Sequence, residues 1–164
     1  MIQDIMKNPT LILGCGNILF GDDGFGPAVI EHLESQASLP ETVLALDIGT
    51  GIKEFLFDLI VAPVKPEHIF ILDAVIRPDR KAGELFEIQL DRFREGKGGG
   101  VFHQFPSLDQ LQHLGAMTGV DIRILAVQAK EVPESVRPGL SPEVQEAVPR
   151  ACAWLMKEIG PEKI

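Results

Sequence analysis

The sequence predicts an α/β fold: a single-domain three-layer sandwich with a mostly parallel, five-stranded, twisted sheet and helices on both faces. Three observations carry that expectation. Short apolar runs without strict apolar–polar alternation recur along the chain, as in strands buried on both faces. Segments of helical period separate them. The stretches 14–26, 47–51 and 73–78, each following a strand candidate, open on glycines or acids. Ligands in such sheets bind beyond the carboxyl ends of the strands.

The elements follow in order. Thr10-Leu11-Ile12-Leu13, stopped by Gly14, reads as the first buried strand. Residues 25–37 place Phe25, Val29, Ile30, Leu33 and Ala37 at helical spacing, and Pro27 suits the first turn, where its missing N–H costs nothing. Val43-Leu44-Ala45-Leu46 is the second strand, ending at Asp47, and 52–62 reads as a helix. His68-Ile69-Phe70-Ile71-Leu72 is the third strand, ending at Asp73. Residues 84–90 alternate weakly, as an exposed strand does; 106–117 is helical and 122–127 is the fifth strand. In the last helix Val144, Val148, Ala151, Leu155 and Ile159 form one face. Ser141 caps it, Pro142 fits its first position and Gly160-Pro161 stops it, while Pro149 removes one backbone bond and should kink it.

A length of 164 residues suits one domain spanning 1–164, with neither internal repeat nor dividing linker. The formal net charge of -9 repels phosphate backbones, which excludes nucleic acid as the expected partner. Two cysteines, Cys15 and Cys152, make no disulfide scaffold. The opening residues carry Asp4 and no signal-like apolar core, and no apolar stretch approaches the ~20 residues of a membrane span. The expectation is a soluble, cytoplasmic protein that does not engage a membrane.

The segment Gly14-Cys15-Gly16-Asn17-Ile18-Leu19-Phe20-Gly21-Asp22-Asp23-Gly24-Phe25-Gly26 is the most informative. A strand, a glycine turn and a helix fit a Rossmann-like nucleotide-binding domain, but Leu19 stands where the third glycine of G-x-G-x-x-G belongs. Two carboxylates ahead of the helix would also repel a pyrophosphate. One of Asp22 and Asp23 can cap the helix. Capping does not explain both, and the other carboxylate is free to project from the sheet edge as a ligand.

This segment resembles the opening of the nickel-iron hydrogenase maturation proteases, roughly G-x-G-N-x-L-x-x-D-[ED]-G-x-G. The similarity continues through Asp47-Ile48-Gly49-Thr50, Ile71-Leu72-Asp73-Ala74, His103-Gln104, Val132-Pro133-Glu134-Ser135 and Gly139-Leu140-Ser141-Pro142. The blocks keep the family's order across nearly the whole chain. Asp-Asp at 22–23, where Glu often holds the second place, is similar to the branch serving deazaflavin-reducing hydrogenases of methanogens.

The resemblance implies an endopeptidase, aspartic-type by family convention, that makes one cut near the C-terminus of a hydrogenase large-subunit precursor after nickel insertion. It implies that Asp23, Asp73 and His103 are both the catalytic residues and the metal ligands. Asp22 stands as the substitute ligand or as a support beside it, with Gly14, Gly16, Asn17, Asp47, Gly49 and Thr50 shaping the site. Nickel would arrive on the precursor rather than reside in the enzyme, and zinc or cadmium could occupy the site in vitro. Two carboxylates and an imidazole suit such borderline divalent metals and leave coordination positions open.

Bland readings stand beside these: a turn cap for Asp73, a surface histidine for His103. Gly98-Gly99-Gly100 ahead of His103 suggests a loop able to close on a substrate. His32, His68 and His113 read as structural or solvated, and Cys15 as a small apolar core residue. The nickel-loaded precursor is the expected partner and a monomer the expected state. A non-catalytic nickel-binding adaptor is the rival that would use the same ligands.

Overall fold

The structure, a computed structural model, describes residues 2–36, 38–88 and 108–160. Five strands form one sheet: β1 (Thr10–Cys15), β2 (Val43–Gly49), β3 (His68–Val75), β4 (Leu85–Ile88) and β5 (Asp121–Gln128). Their order is β2-β1-β3-β5-β4. All pairings are parallel except that of β4, which lies antiparallel on β5 at the edge. The expected mostly parallel five-stranded sheet is present, and its weakest strand candidate is the antiparallel edge.

Helices α2 (Phe25–Gln36) and α5 (Pro142–Ile159) cover one face; α1 (Ile2–Met6), α3 (Ile52–Val61) and α4 (Leu108–Thr118) cover the other. Strand side chains alternate between faces. Leu11, Leu13 and Cys15 of β1 join Ile69, Ile71 and Val75 of β3 in the core beneath α1, α3 and α4. Ile12, Phe70 and Leu72 pack beneath α2 and α5. Both cores therefore draw on central strands apolar on both faces, which is why these runs lack a two-residue alternation.

Helix α5 begins as the sequence predicts: the Ser141 hydroxyl accepts from the Val144 N–H, and Pro142 occupies the first turn. It continues through Pro149 to the stop at Gly160. Helix α1 is an element the apolar pattern does not reveal, since five residues make barely more than one turn. Among the described residues, no helix is long and apolar enough to cross a membrane.

Four strands run further than their sequence limits: β1 continues through Gly14 to Cys15, β5 gains one residue at each end, and the other two carry acids. β2 continues through Asp47 to Gly49, and β3 through Asp73 to Val75. Asp47 lies opposite Gly14, and Asp73 opposite Ala126. Both acids thus belong to strands, not to exit loops, because a neighbour remains to pair with them. β1 pairs with β3 only as far as Gly14–Leu72. Beyond that point β1 turns away, and Asp73 sits where it leaves. The chain winds from β1 to β2 on one side and reaches β3 on the other, so the strand order reverses between β1 and β3. A crevice at such a switch point is where doubly wound sheets hold their ligands.

Candidate active site

The glycine segment becomes a tight loop followed by one 3-10 turn, Gly21–Gly24, directly ahead of α2. Gly16 has φ +132, and a methyl group there would overlap the carbonyl of Asp23. Only glycine lets the loop fold this closely. The Gly16 N–H donates to the Gly49 carbonyl at 2.9 Å, fastening the loop to the end of β2. Gly14 serves close packing: a Cβ there would stand 2.6 Å from the Gly26 carbonyl oxygen, where α2 starts. Asn17 organises the loop twice. Its Oδ1 accepts from the Leu19 N–H at 3.0 Å, and its own N–H donates to Asp23 Oδ2 at 2.8 Å.

Asp22 and Asp23 separate cleanly in role. Asp22 is 1% exposed. Its Oδ1 accepts from the Ser141 N–H at 2.7 Å. Its Oδ2 accepts from the Ser141 hydroxyl at 3.0 Å and from the N–H groups of Lys130 and Glu131 at 2.8 and 3.3 Å. Four donors from the segment leading into α5 converge on this carboxylate, which binds the glycine loop to the C-terminal part of the chain. Asp22 is thus a buried tie, the supporting role of the two that the sequence offered it. Sequence reasoning missed this link, although Asp22 and the Gly139-Leu140-Ser141-Pro142 block both belong to the shared motifs.

Asp23 is half-buried and projects from the same turn, which packs against β3. Asp73 is 3% exposed and accepts from the Ala74 N–H at 2.9 Å. Burial, and then the negative charge of Asp23, push its carboxyl well above the ordinary aspartate range. Asp23 and Asp73 are therefore brought together at the switch point. Cys15 lies beside them: burial first, then Asp73, Asp47 and Asp23, push its thiol well up. Such a thiol stays protonated and is a poor nucleophile.

Asp47 and Thr50 are exposed at the end of β2, with Asp47 Oδ1 accepting from the Gly49 N–H at 2.9 Å. Gly49 adopts φ +54, turning the chain toward α3. His103 and Gly98-Gly99-Gly100 lie outside the described residues. Among the described residues, no group of three or more His, Cys, Asp or Glu could hold a metal ion. His68 and His113 are exposed and His32 is half-buried, as the sequence suggests; His68 contacts Asp121 at 3.2 Å.

The half-buried Asp23 raises the proton affinity of the buried Asp73, so the site concentrates negative charge. A divalent ion would relieve their repulsion and displace the proton from Asp73. A nucleotide phosphate would increase that repulsion, so the Rossmann-like alternative does not suit the site.

Comparison with known proteins gives the family. A family model described as hydrogenase maturation protease matches residues 27–158. The chain is 34% identical over 157 residues to the coenzyme F420 hydrogenase subunit delta of Methanothermobacter thermautotrophicus, covering 93% of this chain and 96% of that protein. It is 30% identical to the hydrogenase 2 maturation protease of Escherichia coli, covering 94% of each. Among solved structures, the hydrogenase maturating endopeptidase HybD from E. coli superposes with a TM-score of 0.66 at 27% identity, over 92% of this chain and 91% of that one. The chain belongs to the hydrogenase maturation protease family, a family of peptide hydrolases.

Proposed function

We propose that this protein removes the C-terminal extension of a nickel-iron hydrogenase large-subunit precursor once nickel is in place. Asp23, Asp73 and His103 read that nickel, which arrives as part of the substrate. The observation that carries this reading is the juxtaposition of Asp23 with the buried Asp73, whose carboxyl is held above its usual range by burial and by Asp23. Without a cation the pair resists full ionisation; with one it becomes a fixed pair of oxygen ligands. The site is therefore tuned to engage a precursor that brings a divalent metal and to be indifferent to one that does not.

This chain's own contribution is positional. The Asn17 N–H holds Asp23 Oδ2, the Ala74 N–H holds Asp73 Oδ1, and Asp22 anchors the turn that carries Asp23. Bound nickel supplies a Lewis acid next to the scissile peptide. The enzyme acts as a cytoplasmic monomer, with no resident metal. The likeness to the F420 hydrogenase subunit delta supports a precursor of the deazaflavin-reducing class.

The experiment is cleavage of purified precursor, prepared with and without nickel and followed by intact mass. Shortening of only the nickel-loaded form is expected. Equal cleavage of both forms contradicts nickel reading. A precursor bound but never shortened points instead to the adaptor.

A further inference from the structure

A groove of about 440 Å³ opens beside the 3-10 turn, between that turn, the outer face of α2 and the segment before α5. Its apolar lining comes from Ile18, Pro27, Ala28, Ile30 and Leu140. Pro27, Ala28, Glu31 and Glu34 share one face of α2, so the helix presents small apolar residues near the turn and acids further along. Among the described residues, Glu31, Glu34 and Asp47 are the groove's charged residues, and no Lys or Arg lines it. All three are exposed. Neither Glu31 nor Glu34 has an ion-pair partner among the described residues.

The groove continues into an exposed apolar ridge. Ile18 is 60% exposed, Leu19 43% and Val136 63%. The strand-like contact of Phe20 with Arg137 keeps these residues together: the Arg137 N–H donates to the Leu19 carbonyl at 2.8 Å, and the Gly21 N–H to the Arg137 carbonyl at 2.9 Å. Exposed apolar side chains on two hydrogen-bonded segments beside Asp23 mark an interaction surface.

We propose that this groove is the docking site for a basic, apolar peptide segment of the hydrogenase precursor. The inference rests on reading the chain as the precursor's protease, and it adds where the peptide lies and what it carries. Charge selects the occupant. The three groove carboxylates, with no Lys or Arg among the described lining residues, favour a Lys or Arg side chain whose aliphatic stem packs on Pro27, Ala28 and Leu140. A second copy of this chain, with formal net charge -9, would bring further repulsion. Continuity selects the register: Gly21 and Gly24 line the groove and also bracket Asp23, so a peptide lying here leads to the Asp23–Asp73 pair.

The test measures binding and cutting separately. Nickel-loaded precursor is titrated against Asp73→Asn, a background in which turnover is removed and the groove is untouched, and against the same protein carrying Glu31→Lys and Glu34→Lys. The two added substitutions should weaken binding about tenfold. In the otherwise wild-type enzyme they should raise KM by a similar factor, with kcat within about twofold. A precursor whose basic residues around the cleavage site are changed to Glu should recover most of that loss with the reversed groove. Both side chains are exposed, so the melting temperature should hold.

Unchanged affinity, a loss confined to kcat, or no recovery on charge exchange overturns the proposal. Altered self-association with unchanged precursor affinity assigns the groove to a second copy and also overturns it. Failure of the wild-type enzyme to shorten the precursor counts against the proposed function alone, because the affinities still report on the groove.

Discussion

Asp22 grips Ser141 at two points: Oδ1 accepts its main-chain N–H at 2.7 Å and Oδ2 its hydroxyl at 3.0 Å. The same hydroxyl accepts from the Val144 N–H at 3.4 Å, in the first turn of α5. A single carboxylate thus sets both the loop that presents Asp23 and the start of the longest helix.

Asp22→Ala leaves the N–H groups of Lys130, Glu131 and Ser141 without their acceptor in a partly buried setting. It should destabilise the fold by about 2–4 kcal/mol. In a chain of this size that lowers the melting temperature by roughly 5–15 °C. Thermal unfolding followed by circular dichroism checks this. A variant melting with the wild type would show that the tie is not structural.

Gly16→Ala should be costly for a different reason. The backbone at φ +132 disfavours a side chain, and the added methyl meets the Asp23 carbonyl. A loss of about 2 kcal/mol or more is expected, together with a fall in precursor cleavage as Asp23 is displaced. Urea unfolding and a cleavage assay on the same preparation measure the two effects. Full activity in this variant would contradict the tight-loop account.

Asp73 predicts a trade between stability and function. Its folded-state carboxyl lies well above the unfolded value, first because it is buried and then because Asp23 is negative. Between those two values the folded protein holds a proton that the unfolded chain has released. Stability of the metal-free enzyme therefore falls as pH rises through that window, by about 1.4 kcal/mol for each unit of separation. Asp73→Asn cannot ionise and should lose this pH dependence, becoming more stable than wild type at neutral pH while inactive. Denaturant midpoints from pH 4 to 8 test it. Cleavage by wild type should decline toward acid with its midpoint above the ordinary aspartate range, since the ligand form of Asp73 is the ionised one. Parallel stability curves for the two proteins would remove the basis of the site's tuning.

How much of this was legible in the sequence depends on how local each determinant is. Helix α5 was readable because Ser141, Pro142 and Gly160 mark its ends and Val144 to Leu155 keep one face. Strands β1 and β3 were readable as apolar runs. Their ends were not, because Asp73 stays in the sheet only through pairing with Ala126, a partner 53 residues away. The roles of Asp22 and Asp23 could not be separated for the same reason: the groups that claim Asp22 lie 108 to 119 residues along the chain. Asp23 and Asp73 were legible as candidates from their places after strand runs. The assignment of His103 rests on the family resemblance alone.

The most direct test of nickel reading compares wild type with Asp73→Ala and His103→Ala on nickel-loaded precursor, with products resolved by intact mass. The account predicts complete shortening by wild type and at least about a 100-fold slower reaction in each variant, with both variants folded. Wild-type rates of cleavage by Asp73→Ala would contradict it.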